Sequence, residues 1–186
     1  AMKALKQAEE VLDDAEARTQ SLVYSNLGYL NRKIANYELA WGYYQKALVI
    51  DKTNENSEWI VTNLINMLNL PLSEIQDSTV YYVHLLEKTL LSVNSELQTK
   101  AYNNIGVCYY KQNKTEQAAN YFCKAIHVSN AVSYRAFLNL ARIYDEEGNT
   151  TRTDSLYQVA LQSPVWATKA RIYEALYNRS LHAHRY

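Results

Sequence analysis

YSNLGYLNRK, residues 24–33, and YNNIGVCYYK, residues 102–111, carry aromatic, Asn, aliphatic, Gly and basic residues in the same order. The agreement continues past the glycines. Ala40, Tyr44 and Ala47 stand at the same offsets from Gly28 as Ala118, Phe122 and Ala125 do from Gly106. A match sustained over that length is an internal repeat, which predicts stacked supersecondary units.

Degenerate copies surround the clear ones. NLARIYDEEGNTTRTDSLYQVALQSP, from Asn139, keeps Leu140, Ala141, Tyr144, Gly148, Tyr157, Ala160 and Pro164. VTNLINMLNL, from Val61, keeps Asn63, Leu64 and Leu68 but has Ile65 where the others have Gly or Ala. Its second half, VYYVHLLEKTLLSV, is displaced beyond Pro71 and a capping box at Ser73-Glu74-Ile75-Gln76, so its second helix has an extra turn or a longer preceding loop. IYEALYNRSLHAHRY, from Ile172, matches only a first half, and AMKALKQAEEVLDDAEAR only a second half. The expected organisation is one array over 1–186: an unpaired second helix at 1–20, repeats at 21–57, 58–98, 99–133 and 134–169, and the first helix of a truncated repeat at 170–186.

Periodicity makes these units helical. Tyr24, Leu27, Gly28 and Asn31 follow i, i+3, i+4, i+7 and share one helix face, as Ala40, Tyr44 and Ala47 do on the next helix. Gly set against Ala lets two helix axes approach closely while Tyr24 and Tyr44 fill the wedge on either side. Four Gly and two Pro leave few sites for the tight turns of an all-β fold. Cys108 and Cys123 fall on different helices of one repeat, and both read as buried small apolar residues.

Tyr24, Leu27, Gly28, Tyr37, Ala40, Tyr44, Ala47 and Asp51, with Tyr102, Ile105, Gly106, Tyr109, Ala118, Phe122 and Ala125, resemble the tetratricopeptide repeat (TPR), a helix-turn-helix unit of about 34 residues. Ile65, Tyr82, Thr89 and Thr153 depart from the pattern, standing where small residues are expected. The resemblance implies an all-α fold, a right-handed α-solenoid of antiparallel helix pairs, with one face of each first helix lining a concave groove.

On that face lie Leu22, Asn26, Tyr29 and Lys33; Trp59, Asn63, Asn66 and Leu70; Lys100, Asn104, Val107 and Lys111; Arg135, Asn139, Arg142 and Glu146; and Arg171, Ala175, Asn178 and His182. Asn26, Asn63, Asn104 and Asn139 recur at one place in four units, and a column of amides can hold an extended peptide backbone. Lys33, Lys100, Lys111, Arg135, Arg142 and Arg171 stand against Glu146 alone, although the chain balances nineteen basic and nineteen acidic residues. The candidate groove residues are therefore Asn26, Trp59, Asn63, Asn66, Lys100, Asn104, Lys111, Arg135, Asn139 and Arg142. A clamp for a terminal carboxylate, known in the TPR family, is not expected, because Thr62 and Asn139 replace its first Lys and last Arg. Asp145, Glu146 and Glu147 crowd a helix end, where Arg142 and Arg152 are expected to offset them.

The sequence contains no phosphate-binding Gly-rich loop, no His pair at i, i+4 and no nucleophile elbow, so no catalytic residue, metal or cofactor is expected. His182 and His184 point to different sides of a helix, and His84 and His127 have no sequence partners. The zero net charge argues against nucleic acid as a partner, and no apolar run reaches the ~20 residues of a membrane span. The expectation is a soluble module, cytoplasmic or periplasmic, binding an extended acidic peptide or protein segment. The competing expectation is a sensory or self-assembling segment of a larger bacterial regulatory or membrane-anchored signalling protein, associating through its truncated ends.

Overall fold

The computed structural model describes Gln7 and residues 16–71, 73–128 and 133–183. Among these are nine helices and no strand: α1 (Ala17–Lys33), α2 (Tyr37–Thr53), α3 (Ser57–Leu68), α4 (Ser73–Leu90), α5 (Ser95–Lys111), α6 (Thr115–His127), α7 (Tyr134–Glu146), α8 (Thr150–Ala160) and α9 (Trp166–Ala183). The helices pack in pairs, α1 with α2, α3 with α4, α5 with α6 and α7 with α8, and each pair packs on the next. The half-unit expected before residue 17 lies outside the described residues. Residues 17–20, expected at its end, instead open α1. Helix starts follow capping side chains rather than the signature residues: Asn56, Asn94, Ser133 and Asn149 each accept a backbone N–H from the first turn of α3, α5, α7 and α8.

Within regular pairs, the small residue of the first helix meets a buried ring from the second. A Cβ built on Gly28 would lie 2.6 Å from Tyr44 Cε1, and one on Gly106 would lie 2.5 Å from Phe122 Cε1. Neither ring can swing away, since Tyr44 and Phe122 are fully enclosed. Ala141 and Tyr157, both buried, occupy the same places in the α7–α8 pair. The turn between paired helices also repeats. Asn36, Lys114 and Asn149 donate their N–H groups to the carbonyls of Asn31, Tyr109 and Tyr144 at 2.9, 3.0 and 2.8 Å. The preceding residue is left-handed each time, at Ala35, Asn113 and Gly148.

The α3–α4 pair differs. Helix α3 has 12 residues against 17 in α1 and α5, whereas α4 has 18, so the extra length falls in the second helix. Ile65 fills the glycine position, and Leu86 stands where Tyr44 and Phe122 stand; both are buried in one cluster. A branched aliphatic and a shorter partner thus replace glycine and ring. Helix α3 is buried on most sides, through Ile60, Val61, Leu64, Ile65, Met67 and Leu68, at the centre of the stack.

Tyrosines build a repeated edge. Tyr24 stacks on Tyr43 at 6.2 Å between ring centroids, with Lys46 over both rings, and Tyr102 stacks on Tyr121 at 6.4 Å, with Lys124 over both. Lys124 also bonds Glu87 of α4 at 2.8 Å.

Gly28→Ala and Gly106→Ala are expected to lower the unfolding free energy in urea titrations. Overpacking against an enclosed ring costs roughly 1–3 kcal/mol, the upper part of which exceeds the ~1 kcal/mol alanine gains in a helix. Gly42→Ala, with nothing within 4 Å of its added methyl, is expected to raise stability by up to ~1 kcal/mol in the same assay. Ile65→Gly is expected to lose roughly 2–5 kcal/mol through the cavity it opens, plus about 1 kcal/mol of helix propensity; an unchanged melting temperature would show that Ile65 holds nothing apart.

Candidate functional site

The first helices present a polar face, and its residues divide into those bonded within the array and those left to solvent. At the first junction the division favours the array. Asp51, buried in the last turn of α2, accepts hydrogen bonds from Ser21 Oγ of α1 and, at 2.7 Å, from Asn63 Nδ2 of α3. Ser25 Oγ donates to Asn63 Oδ1 at 2.9 Å. Asn63, expected on the groove wall, is therefore enclosed at 1% exposure, its amide spent on a buried carboxylate. Burial pushes the Asp51 carboxyl above its ordinary value, with the Ser21 and Asn63 hydrogen bonds opposing that rise.

Other amides bridge neighbouring units. Asn69 Nδ2, at the C-terminal cap of α3, donates to Asn104 Oδ1 of α5 at 2.8 Å, and Asn139 Nδ2 of α7 donates to Asn103 Oδ1 of α5 at 3.0 Å. Asn104 Nδ2 donates to the Lys100 carbonyl of its own helix at 2.7 Å. Trp59 is half-buried beneath the Arg18 guanidinium, whose Cζ lies 5.7 Å from a ring centroid. Asn66 is half-buried, while Asn26 and Lys100 are exposed.

Toward the C-terminal half the face opens into a cavity of about 470 Å³ between α5, α7 and the start of α9. Of the ten expected residues, Asn104, Lys111, Arg135, Asn139 and Arg142 line it, and Asn26, Trp59, Asn63, Asn66 and Lys100 do not. Arg171, from the same stripe, completes a set of four cations around it, and Asn103, Tyr110 and Thr168 add polar atoms that a one-stripe reading passes over. Their signal was adjacency: Asn103 precedes Asn104, and Tyr110 precedes Lys111. Val107, Phe122 and Leu138 supply apolar wall.

Among the described residues no acid lines this cavity. Glu146 accepts a hydrogen bond from the Tyr110 hydroxyl, a bond that, with burial, raises the phenol's pKa and keeps it protonated. Arg142 lies with its Cζ 6.0 Å from the Tyr110 ring centroid. Asp145 is neutralised by Arg179 of α9 at 3.3 Å, and Arg179 also bonds Asp154. Arg179 thus takes the role expected of Arg142 and Arg152, because α9 folds back on α7 and α8; Arg152 lies over the Tyr144 ring instead. Cys108 and Cys123 are free thiols, and burial pushes both upward in pKa, away from thiolate chemistry. Among the described residues no group of three or more His, Cys, Asp or Glu is placed to hold a metal ion, and no helix is long and apolar enough to cross a membrane.

Comparison with known proteins agrees with this architecture. Residues 99–131, the α5–α6 pair, match the tetratricopeptide repeat family model. The chain is 34% identical over 68 residues to the uncharacterized protein ycf37 of Porphyra purpurea, a match covering 37% of this chain and 39% of that one. Its fold is similar to BtubC (BKLC) from P. vanneervenii, with TM-score 0.68 and 19% identity over 94% of this chain and 70% of that chain. It is also similar to the apo form of RapI, with TM-score 0.69 and 14% identity over 92% of this chain and 51% of that chain.

The raised pKa of Asp51 carries a pH signature. The folded chain holds this proton more tightly than the unfolded chain, so the contribution is fully present below about pH 3.9 and is lost as pH rises through the raised folded value. Relative to Asp51→Asn, the parent is expected to gain unfolding free energy as the pH falls from neutrality toward 4. Parallel pH–stability curves for the two proteins would contradict this. Asp51→Ala, which strands Ser21 and Asn63, is expected to cost roughly 1–3 kcal/mol for each donor left unpaired.

Glycine–ring contacts, the repeated turn and the α5–α6 family match coincide on one reading: the described chain folds as an array of helical repeats, of which residues 99–131 match the tetratricopeptide repeat.

Proposed function

We propose that this module binds an extended acidic segment of another protein on its concave face, seated in the cavity between α5, α7 and α9. The observation that carries the reading is charge: Lys111, Arg135, Arg142 and Arg171 line one cavity with no acid among its lining residues, in a chain of zero net charge. A concave wall concentrates such a field, steering an acidic chain toward it. The amides contribute less than a free ladder would, since Asn63, Asn104 and Asn139 already bond within the array. Their remaining donors and acceptors would meet the segment's backbone.

A second reading, self-association, has its own observation. Trp166, Tyr173, Tyr177 and Leu181 are exposed along one face of α9 at helical spacing. Equivalent positions in earlier units, such as Gly28 and Gly106, are covered by a second helix.

Lys111→Glu combined with Arg135→Glu is expected to weaken binding of a Glu/Asp-rich peptide roughly tenfold or more at low salt and to flatten its salt dependence, read by titration calorimetry at two ionic strengths. Asn104→Ala is expected to leave the salt dependence unchanged while costing about 1 kcal/mol of stability through loss of the Asn69 bridge. Unchanged peptide binding by the double charge reversal would remove the concave face as the site and leave self-association ahead, which sedimentation of the parent chain checks independently.

A further inference from the structure

One corner of the cavity is more specific than a basic wall. Helix α9 begins behind Val165, whose side chain has no oxygen to cap it, and its first turn carries no acidic residue. Ala167 and Thr168 of that turn line the cavity, with Arg171 one turn further along. The N-terminal end of an 18-residue helix is thus presented to the same space as the cations; the Thr168 N–H is bonded to the Val165 carbonyl at 3.0 Å and the Val165 N–H to Ser163 Oγ at 3.1 Å, so the helix end contributes chiefly its dipole.

Two buried side chains point to an occupant. Thr168 is 5% exposed, yet its hydroxyl has no hydrogen-bond partner among the described residues. Asn103 is 9% exposed; its Oδ1 accepts from Asn139, whereas its Nδ2 donates to no acceptor among the described residues. Both residues line the cavity, and their polar atoms open onto it instead of being sealed in the core as the Thr99 and Tyr157 hydroxyls are. Arg135, Arg142 and Arg171 add guanidinium groups that form no ion pair among the described residues.

We infer that this corner, formed by the α9 N-terminus, Thr168, Asn103, Arg135 and Arg171, is a subsite for a phosphate monoester carried on a side chain of the bound segment. The arithmetic of charge and donors separates phosphate from carboxylate. A carboxylate carries one charge and two oxygens, and it would leave most of these donors unmet. A phosphomonoester carries close to two charges and three strong acceptor oxygens, enough for a hydroxyl, an amide and guanidinium together beside the positive end of the helix. Val107 and Leu138 provide apolar wall for the carbon stem. Glu146, the nearby acid, is held by Tyr110 and does not line the cavity. The inference rests on the peptide reading only for the carrier of the phosphate.

The test follows backbone amides and Arg side-chain Nε–H groups of the full chain by NMR, during separate titrations with inorganic phosphate, acetate, a phosphoserine peptide and an unphosphorylated Glu-rich peptide at constant ionic strength. Saturable phosphate shifts centred on Ala167, Thr168 and Arg171, stronger near pH 8 than near pH 6 and absent with acetate, support the subsite. So does a roughly fivefold or greater loss of phosphate affinity in Arg171→Gln and in Thr168→Val. Arg171 is exposed, so its variant keeps the test decisive if Thr168→Val perturbs folding. Equal, unsaturating shifts with phosphate and acetate overturn the subsite. If the Glu-rich peptide nonetheless binds, the acidic-segment reading stands without it. Phosphate binding with no binding of either peptide overturns the side-chain carrier and assigns the corner to a free phosphate compound.

Discussion

A ring edge pressed onto a glycine sets the spacing of the regular helix pairs. Tyr44 against Gly28 and Phe122 against Gly106 leave no room for a methyl, so both pairs close ring on backbone. The repeated turn, with a left-handed residue at Ala35, Asn113 and Gly148, returns the chain through the same backbone hydrogen bond each time. Since each pair leaves apolar surface bare until the next pair covers it, stability and shape propagate from neighbour to neighbour. The concave face inherits this regularity, because the outward stripe of a first helix is placed by what its inward stripe touches.

The irregular pair interrupts that face. With Ile65 and Leu86 in place of glycine and ring, and a first helix of only 12 residues, α3 becomes the buried centre of the stack. Its Asn63 is drawn inward by Asp51, and its Asn69 is committed to Asn104. The cavity accordingly lies beyond α3, where α5, α7 and α9 stand side by side.

Helix pairing was legible in the sequence, because it follows from residue size at fixed offsets; the partner of the glycine was not, since Gly against Ala was expected and the Tyr44 and Phe122 rings themselves lie on Gly28 and Gly106. Five of the expected groove residues, Asn104, Lys111, Arg135, Asn139 and Arg142, line one cavity because they keep one angular position on α5 and α7. A stripe specifies an angle around one helix and carries no information about neighbouring helices. Asn63 was therefore misplaced by Asp51, a residue on another helix, and Arg179 was missed as the partner of Asp145, 34 residues away. The start of α1 at Ala17 was missed because the signature residues mark contacts between helices, and Glu16 before it supplies no capping hydrogen bond that would mark the end.

The polar face finally sorts by chemistry. An amide both donates and accepts, so adjacent asparagines satisfy one another, and the array absorbs them as bridges between Asn69 and Asn104 and between Asn103 and Asn139. A guanidinium or ammonium only donates and needs an anion. Glu87 is taken by Lys124, and Asp145 and Asp154 by Arg179, while Glu146 is bonded by a neutral phenol. Lys111, Arg135, Arg142 and Arg171 form no ion pair among the described residues, on a face where the fold also leaves space. The cations of this surface thus face open space, and the amides hold the wall that presents them.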